Sequence, residues 1–497
     1  MLSWLPVVSA TLFVPLVGAA FLVLGRSLSA RAAHAVGLAA SGLALAGSVV
    51  MWIRGVGRAG SAGFSQVEEV EWIPSLGAAY RVGVDGISLP LVLLTTLLFF
   101  LSFVFSSHIT ERPRAYVALM LLMETACLGV FVALDAVLFY VFFEVSLVGM
   151  YFIISGWGYA RRGRAALTFF LYTLLGSLPL LLAILALYLA SEPRTFDMRA
   201  YIASPPLAGA AAMLALIAML VTFFVKIPVF PVHTWLPLAH TEAPTAGSVI
   251  LAGVMLKLGT YGLVRFALQM TPDAFGEAAP YVVALGVLSA LYGAFVALAQ
   301  SDLKRLVAYT SVNHMGYVVV AVAIAAAATG ADTRALALDG AVLQMVSHGL
   351  VTGALFLIVG MLQERAHTRE MGEFGGLLGA LPVLGWAFVL AAFASLGLPG
   401  LAHFPAEFQI FLSTFEVYPV AVVVVLGIAI TAGLYLRALY MAFLGEPPKK
   451  GYGFSDLGTR ELLSLGPLLA LTVLLGVLPS LVLGVVHATT GSLGLGG

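Results

Sequence analysis

Charged residues are scarce in this sequence. Asp, Glu, Lys and Arg make up only 10% of its 497 residues, whereas 61% are hydrophobic and the mean hydropathy is +1.06. A water-soluble fold cannot bury so much apolar surface, so the composition predicts an integral membrane protein. The 24 basic and 24 acidic residues balance, which argues against the cationic surface that nucleic-acid binding requires.

Cysteine is almost missing, and so are several motifs that hold cofactors. The single cysteine, Cys127, excludes an intramolecular disulfide and a thiolate cluster for zinc or iron–sulfur. The sequence has no G-x-G-x-x-G after a strand, no Walker A motif and no C-x-x-C-H. We therefore expect no metal and no cofactor in this chain.

Long apolar runs fill most of the chain. Divided at its charged and Gly/Pro-rich breaks, the sequence gives about fourteen segments that are long enough to cross a ~30 Å hydrocarbon core as helices. They begin near Leu2 and end near Val486, which predicts an all-α polytopic membrane protein in a single domain, 1–497. The first segment lacks the positive n-region of a cleaved signal peptide and is expected to remain as a membrane helix. Two polar interruptions, Arg54–Asp85 and Gly445–Glu461, are expected to be loops.

Lys and Arg are distributed unevenly between alternate loops. Loops after odd-numbered segments hold fourteen of them, including Arg26, Lys304, Lys449 and Lys450, whereas loops after even-numbered segments hold six, including Arg58. Because cytoplasmic loops carry the excess of basic residues, both termini are predicted to lie on the non-cytoplasmic side.

Four basic residues fall inside the apolar segments: Lys226, Lys257, Arg265 and Arg437. Both arginines are near segment ends, where a long side chain is expected to reach the interface by snorkelling. An ammonium group at the bilayer centre costs ~2.5–3.5 kcal/mol on insertion scales, so a lysine there needs a reason. We therefore predict that Lys226 and Lys257 are functional.

Three acidic residues, Glu124, Glu144 and Glu407, also interrupt apolar segments. A buried carboxylate needs a cationic partner to remain charged, and Lys226 is a candidate partner for Glu144. Two interpretations of that pair remain open. It is a static ion pair that holds helices in register, or it is a switch in which separating the charges releases the lysine proton to a neighbour.

Two segments are interrupted by helix-breaking residues beside a charge. In VKIPVFPVHTW, Pro228 and Pro231 follow Lys226, and in GLPGLAHFPAEF the stretch Gly397–Pro405 precedes Glu407. Proline breaks a helix, and irregular backbone at membrane depth is tolerated only against protein or a water-filled cavity. Two broken helices, one in each half of the chain, are typical of an inverted-repeat transporter.

Histidines occur between these charges, and imidazole both accepts and donates protons near neutral pH. His233 and His240 flank the end of the first broken segment, and His314 and His348 lie in successive later segments. A single membrane histidine is often a hydrogen-bonded packing residue, but this succession favours a proton relay. A membrane cytochrome with His314 and His348 as axial haem ligands is the alternative from another class.

Several long stretches are similar to one family. They are YRVGVDGISLPLVLLTT, LFYVFFEVSLVGMYFIISGWG, FFVKIPVFPVHTWLPLAHTEAPTAGSVILAGVMLKLGTYGLVRF, DLKRLVAYTSVNHMGYVV, QMVSHGLVTGALFLIVGMLQERAHTR and GLPGLAHFPAEF. From about Arg81 to Phe443 they resemble the subunit M family, also called chain 4, of the proton-pumping NADH-quinone oxidoreductase, respiratory complex I. Its members are antiporter-like membrane subunits.

This resemblance implies a fold and an activity. The fold would have about fourteen transmembrane helices with two inverted five-helix repeats, each containing a broken helix. We then expect N-terminal helices over about 2–107, a first repeat over 114–269, a second repeat over 279–445 and a C-terminal helix over 460–488. The implied activity is proton translocation driven by quinone reduction in partner subunits, with no redox chemistry in this chain.

The resemblance also implies roles at matching positions. Glu144 resembles the fifth-helix glutamate of the family, and Lys226 resembles the lysine of its first broken helix. Lys257 resembles the central eighth-helix lysine, and Glu407 resembles the terminal glutamate of the second broken helix. Glu124 resembles a fourth-helix acid near the first pair. Glu144 is then expected to control the protonation of Lys226.

In the family's picture, the proton moves from the cytoplasm toward the two lysines, passes the region of His314 and His348, and leaves near Glu407. The expected partners are other membrane subunits of complex I, especially sister antiporter-like subunits, and the lipid bilayer, without nucleic acid. The parent complex is expected to hold flavin, iron–sulfur clusters and quinone. The expected location is the bacterial cytoplasmic (inner) membrane.

Related complexes share this fold, so an alternative remains open: a subunit of a multisubunit Na⁺/H⁺ antiporter or of a membrane-bound hydrogenase complex. Sister subunits tend to carry lysine where this sequence has Glu407, which favours the subunit M family. The sequence departs from the family pattern beside that residue, since His403, Pro405 and Ala406 replace the more usual Asn, a non-proline residue and Gly.

Overall fold

The computed structural model describes residues 6–25, 28–55, 63–447 and 452–493. Within these ranges, thirteen helical segments are long and apolar enough to cross a membrane. A fourteenth crossing consists of two shorter helices, Pro382–Ser395 and His403–Val417, on either side of an irregular stretch. The predicted polytopic architecture with about fourteen crossings is therefore confirmed.

The helices are numbered along the chain. Those of the first half are α1 (Val7–Leu24), α2 (Ala30–Arg54), α3 (Ser88–Phe105), α4 (Pro113–Val132), α5 (Ala136–Trp157), α6 (Arg162–Ala190), α7 (Met198–Ala203), α8 (Gly209–Lys226), α9 (Trp235–Glu242), α10 (Thr245–Ile250) and α11 (Leu256–Gly262). Those of the second half are α12 (Pro272–Leu298), α13 (Leu303–Ala327), α14 (Ala331–Ala366), α15 (Leu377–Ala380), α16 (Pro382–Ser395), α17 (His403–Val417), α18 (Leu426–Ala438), α19 (Thr459–Val477) and α20 (Ser480–Thr490). Both α10 and α11 belong to one continuous span, Thr245–Leu268, and α18 belongs to another, Pro419–Phe443.

The crossings surround a buried centre. The span Thr245–Leu268 and helix α14 are enclosed along their apolar lengths. By contrast, α6 exposes a row of leucines at helical spacing: Leu167, Leu171, Leu175, Leu178, Leu182, Leu185 and Leu189. Lipid tails accept such a row, whereas polar groups at membrane depth must find partners inside the protein. Polar side chains are therefore accommodated along the enclosed helices.

The stretch Arg54–Asp85, predicted to be a loop, contains a β-hairpin. Strand β1 (Ser65–Ile73) pairs antiparallel with strand β2 (Ala78–Val84). Gly77 makes the turn with φ +66°, a left-handed conformation that glycine adopts without steric cost. The loop prediction was wrong because β1 is polar and largely exposed, whereas the packing of β2 against the helices stabilises the pair.

Ion pairs outside the membrane-spanning segments connect this hairpin to the helix ends. Arg81 lies 2.5 Å from Glu69 and 3.0 Å from Asp135, and Arg199 lies 2.9 Å from Glu69 and 2.6 Å from Asp197. Burial alone would raise the pKa of Glu69. The hydrogen bonds from the two arginines outweigh burial and hold this pKa below its usual value of 4.5.

The first broken crossing lies between α8 and α9. Helix α8 ends at Lys226, and the backbone is irregular until Trp235 begins α9. The indole Nε1 of Trp235 donates to the carbonyl of Val225 at 2.9 Å, and the N–H of Phe230 donates to the hydroxyl of Ser289 at 3.1 Å. Contacts inside the protein thus replace helix hydrogen bonds that the two prolines interrupt.

The second broken crossing lies between α16 and α17. Helix α16 ends at Ser395, and α17 begins at His403. Gly397 and Gly400 lie in the break with φ +77° and +90°, conformations that favour glycine. Both interruptions fall in the segments in which the sequence predicted them.

Arg265 does not snorkel to the interface. It is only 1% exposed and pairs with Asp85, which is equally buried. The snorkelling expectation was wrong because the end of the presumed loop folds into the protein interior and brings this carboxylate with it. Arg437 is half-buried near the end of its segment, where Nη1 donates to the carbonyls of Leu298 at 2.6 Å and Gln300 at 2.8 Å.

The predicted C-terminal helix over 460–488 is divided into α19 and α20. Pro479 separates them, and a proline disfavours the helical conformation in the residue before it. Four residues used to predict orientation, Arg26, Arg58, Lys449 and Lys450, lie outside the described residues. The sidedness of the termini stays a prediction.

Candidate functional site

Two groups of ionisable side chains lie within the crossings. We call the first the Lys226 cluster, and its members are Glu124, Glu144 and Lys226. We call the second the Lys257–Glu407 chain, and its members are Lys257, His348, His314, His403 and Glu407.

Lys226 ends α8 and is 3% exposed. Its Nζ lies 4.6 Å from the centroid of the Phe143 ring, a cation–π contact, and has no hydrogen-bond partner among the described residues. Glu144 is close enough to interact electrostatically with it, but within the described chain no N–O distance of 4.0 Å or less joins the two. This structure therefore does not contain the static ion pair that the sequence left open.

Each of the two acids in this cluster has one carboxylate oxygen without a hydrogen-bond partner among the described residues. Glu144 on α5 lies beside the hydroxyl groups of Tyr140 and Ser177. Glu124 on α4 is fully buried, and its Oε1 accepts from the Ser41 hydroxyl at 2.9 Å. One oxygen of each acid, Oε1 of Glu144 and Oε2 of Glu124, lacks a hydrogen-bond partner in the described ranges. Each can accept a proton or a water molecule.

Lys257 lies between two π-helical turns, Leu251–Met255 and Leu263–Leu268. Such turns depart from the regular helix ladder and are frequent at functional sites. The Nζ of Lys257 donates to the carbonyl of Ala252 at 2.6 Å and lies 2.6 Å from Nδ1 of His348 on α14. Lys257 and His348 are fully buried, so the two nitrogens meet away from bulk water at a distance that allows proton exchange.

Two more imidazoles continue from His348 toward Glu407. The ring centroids of His348 and His314 are 5.6 Å apart, and those of His314 and His403 are 4.7 Å apart. Both His314 Nε2, at 3.0 Å, and His403 Nδ1, at 3.3 Å, contact the carbonyl of Ser395. His403 Nδ1 also lies 3.9 Å from Glu407 Oε1.

The break before α17 explains this arrangement. His403 and Glu407 are four residues apart on α17 and therefore share a helix face. That face meets α13, which carries His314, and α14, which carries His348. In the sequence, His403 was visible only as a departure from the family pattern and was not among the predicted site residues. Its position one helical turn before Glu407 was the available signal.

A close backbone contact joins the two groups. A Cβ added at Gly259, two residues after Lys257, would meet the Cβ of Lys226 at 3.0 Å and the Cγ1 of Ile227 at 2.8 Å. Glycine therefore allows the break after α8 to pack directly on α11. The two buried lysines lie on segments in contact.

Two predicted relay histidines lie outside both groups. His233 packs against tyrosine rings, with centroids 5.1 Å from Tyr292 and 6.1 Å from Tyr309. His240 is fully buried and stacks on Phe356 at 4.5 Å. Neither ring nitrogen of His240 has a hydrogen-bond partner in the part of the chain that the structure describes.

Lys304 was counted in the sequence as a loop cation, but it is fully buried in the first turn of α13. Its Nζ donates to the carbonyl of Ala243 at 2.8 Å and lies 4.9 Å from the centroid of the Tyr159 ring. His240 is close enough to interact electrostatically with both Lys304 and Lys257. Lys304 was missed because its neighbours in sequence, an aspartate and an arginine, are typical of a solvated turn.

A cavity of about 360 Å³ with both polar and apolar walls is lined in part by Tyr159. Its walls include His108 and Glu364, whose side chains are 3.6 Å apart, and Thr245 at the start of α10. The cavity lies at the ends of α3, α5 and α14, which are the third, fifth and eleventh crossings of the chain. It is thus on the face whose loops the sequence predicts to be cytoplasmic.

The histidine packing also bears on the haem alternative. His314 and His348 meet edge to face with ring planes at 73°, and His403 packs against His314 at 4.7 Å. The two rings contact each other edge to face here, without a gap for a porphyrin plane between them, so this arrangement does not favour the haem alternative.

The family model and the relatives that match this chain agree on one class of membrane subunit. The model of a family described as NADH:quinone oxidoreductase/Mrp antiporter, TM, matches residues 133–432. NADH-quinone oxidoreductase subunit M of Rhodobacter capsulatus is 42% identical over 435 residues, which cover 84% of this chain and 82% of that protein. Subunit M of Rickettsia typhi is 38% identical over 498 residues, which cover 98% of this chain and 99% of that protein.

A solved structure has the same fold. A chain of respiratory complex I from Thermus thermophilus with bound NADH matches with a TM-score of 0.87 and 31% identity, covering 99% of this chain and 100% of that chain. Relatives that bear the name subunit M favour this family over the antiporter and hydrogenase alternatives. The chain belongs to the subunit M family of NADH-quinone oxidoreductase, within the antiporter-like membrane subunits of respiratory complex I.

Proposed function

We propose that this chain carries protons across the membrane along the Lys257–Glu407 chain, driven by quinone reduction in partner subunits. The observation that carries the proposal is the series of buried contacts that begins with 2.6 Å between Lys257 and His348 and ends with 3.9 Å between His403 and Glu407. Ionisable residues at membrane depth are costly and mark ion pathways. A series of them in contact is a proton route rather than a set of isolated packing residues.

Proton uptake begins at the cavity beside Tyr159. The cavity lies on the face with the larger number of basic loop residues, which predicts the cytoplasmic side. Lys304 lies over the ring of Tyr159, which lines this cavity, and His240 interacts with both Lys304 and Lys257. These positions support a path from the cavity through Lys304 and His240 to Lys257, with water filling the gaps.

Transfer continues through the imidazoles. Lys257 gives its proton to His348 Nδ1 through their direct contact. The Nε2 of His348 and the Nδ1 of His314 have no partner within the described ranges, so both are free to pass the proton onward. Glu407 is the final acceptor, and release from its carboxylate to the opposite side completes the passage.

The Lys226 cluster acts as a gate on this path. Two unit charges about 4 Å apart interact by roughly 4 kcal/mol at an effective dielectric constant of about 20. Movement of Glu144 toward Lys226 therefore favours the protonated lysine, and its withdrawal favours proton release toward Lys257. Glu124 and Lys226 both interact electrostatically with Cys127. Glu124 is therefore a further charge in this cluster that can respond to a neighbouring subunit.

We also propose the two five-helix repeats over 114–269 and 279–445. The first range contains α4, α5, α6, the broken crossing and the span Thr245–Leu268. The second contains α12, α13, α14, the other broken crossing and the span Pro419–Phe443. In each range the broken crossing is the fourth of five, which supports a common origin of the two units.

The proposed partners are the other membrane subunits of a bacterial complex I, including sister antiporter-like subunits. Flavin, iron–sulfur clusters and quinone belong to those partners, and both termini of this chain lie on the non-cytoplasmic side. Mass spectrometry of the intact assembly, isolated through a tag on this chain, tests the partners. Co-purification with quinone-site and iron–sulfur subunits is expected, whereas recovery with antiporter subunits alone would contradict the proposal.

Substitutions in the Lys226 cluster test the gate. Glu144→Gln and Lys226→Ala are each expected to remove most proton translocation from an assembled complex. Lys226→Arg, which keeps the charge, is the matched control and is expected to retain more activity. Normal pumping by both charge-removing variants would exclude this cluster from the mechanism.

A further inference from the structure

The end of the Lys257–Glu407 chain brings three metal-ligating side chains together. One nitrogen each of His314 and His403 and one carboxylate oxygen of Glu407 lie within 4.8 Å of one another, and all three residues are buried. His314 comes from α13, whereas the other two come from α17. No short sequence motif marks such a set, because its members are distant along the chain.

We propose that His314, His403 and Glu407 form a binding site for a divalent transition-metal ion of the zinc class. Two imidazoles and one carboxylate are a donor set that zinc takes with a fourth position open to water. Zinc-to-ligand distances of ~2.0–2.2 Å place the ligand atoms of a tetrahedral site about 3.4 Å apart. The three side chains reach that spacing by approaching one another by an amount that side-chain rotation supplies.

Hydrogen bonding prepares the two imidazoles for this role. The carbonyl of Ser395, at the broken end of α16, contacts His314 Nε2 at 3.0 Å and His403 Nδ1 at 3.3 Å. A metal-ligating histidine characteristically donates its second ring N–H to such a carbonyl, which fixes its tautomer and orientation. Because each neutral ring donates its one N–H to the Ser395 carbonyl, the other nitrogen of each ring keeps a free lone pair.

The free atoms are the second observation that points to a ligand. His314 Nδ1, His403 Nε2 and Glu407 Oε2 are all buried and have no hydrogen-bond partner in the part of the chain that the structure describes. A Cβ added at Gly397 would overlap Glu407 Oε2, so this glycine keeps the space around the carboxylate open. Glu124, another buried glutamate, accepts a hydrogen bond from the Ser41 hydroxyl through one oxygen, and no metal-ligand group in the described chain includes it.

Occupation of this site has a functional consequence. The ion would take His314 Nδ1 and the Glu407 carboxylate, both of which the proposed proton route uses as acceptors. Proton transfer to Glu407 would then stop. This consequence rests on the proposed function, whereas binding of the ion does not.

Metal binding is tested on the purified holo-complex that contains this chain, after removal of loosely bound metal. Co²⁺ is the probe, because its visible absorption reports coordination number, and elemental analysis gives the Zn²⁺ content. We expect one more ion per complex in the wild type than in His403→Asn, with a four- or five-coordinate Co²⁺ spectrum that the variant loses. Glu407→Gln is a second variant that should lose the same ion, should one of them fail to assemble.

His34→Ala is the matched control. His34 is also a buried histidine that contacts a backbone carbonyl, that of Ile109 at 2.8 Å, but it lies on α2, away from the site. This variant should retain the ion. Equal metal content and equal Co²⁺ spectra in the wild type, His403→Asn and Glu407→Gln would overturn the proposal.

Zinc inhibition of proton translocation tests the functional consequence separately from metal binding. Each variant is compared with its own metal-free rate, and we expect the half-inhibiting Zn²⁺ concentration to rise at least tenfold in His403→Asn. Binding at the site without any inhibition would support the metal site and contradict the proton route of the proposed function. Equal inhibition of both proteins would show that zinc acts elsewhere and would overturn the inferred consequence.

Discussion

Replacing His348 with leucine tests the proton path at its shortest contact. Histidine and leucine are similar in volume, so the change removes both ring nitrogens without opening a large cavity. Lys257 then keeps the carbonyl of Ala252 as its partner at 2.6 Å. The next imidazole, that of His314, is no longer reached through an intervening ring.

The expected size of the effect follows from the contact that is lost. A hydrogen bond to a charged group is worth about 1.5–3 kcal/mol. Since 1.36 kcal/mol corresponds to a tenfold change in rate, losing this contact in the transfer step slows proton movement by about 10- to 150-fold. Quinone reduction should slow in parallel where electron and proton transfer are tightly coupled.

The assay is proton translocation by the purified complex in sealed proteoliposomes, followed with a pH-sensitive dye while quinone reduction is followed separately. His34→Ala is the control, since it removes a buried histidine away from the path. Native gel analysis is used to check that each variant complex is assembled. Wild-type proton translocation by assembled His348→Leu would refute the path through His348.

Three further substitutions test other parts of the account. In Gly397→Ala, the alanine must adopt a left-handed conformation, at a cost of about 1–2 kcal/mol, and its Cβ displaces the Glu407 carboxylate, so proton translocation should fall. In the control Gly433→Ala, the added Cβ meets open space, and proton translocation should be unchanged. Arg265→Leu leaves Asp85 buried without its partner and should lower the stability of the chain by about 3–5 kcal/mol in thermal unfolding, whereas also changing Asp85 to Leu should restore most of the loss. The pKa of Glu69 is lower in the folded protein than its usual 4.5, so its stabilising contribution is present above pH 4.5 and is lost as the pH falls through the folded value. The midpoint of thermal unfolding should therefore drop more steeply in the wild type than in Glu69→Gln as the pH is lowered below 4.5, and equal slopes would contradict this assignment.

Apolar length and helix-breaking residues were enough to predict the crossings. Lipid leaves few choices for a backbone of this composition, and prolines after Lys226 and before Glu407 interrupt helices wherever they occur. The β-hairpin was not predictable in the same way. Its strand β1 is polar and exposed, and it pairs because β2 packs on the helices, which is a tertiary effect.

The candidate site was predictable residue by residue but not as a set of contacts. An isolated charge in an apolar run is visible in the sequence, which is why Lys226, Lys257 and Glu407 were identified. Lys304 was not, because it lies close to an aspartate and an arginine that are typical of a solvated turn. Asp85 was not, because it ends a stretch predicted to be a loop and becomes buried only through the packing of distant segments. His403 shows the same limit, since its importance depends on the carbonyl of Ser395 and on His314 from another helix.

The roles of His233 and His240 illustrate how structure narrows a prediction. Both flank the end of the first broken segment in sequence, yet His233 packs among tyrosines whereas His240 interacts electrostatically with two buried lysines. The sequence gives no basis for separating them. We therefore expect His240→Phe to impair proton uptake more than His233→Phe, measured as the ratio of protons to electrons in proteoliposomes.

The central claim is that protons pass through Lys257. Its most direct test is the number of protons translocated per electron by a reconstituted complex carrying Lys257→Met, compared with the wild type in the same vesicles. The account predicts a lower ratio in an assembled complex that still binds quinone. An unchanged ratio at an unchanged rate would contradict it.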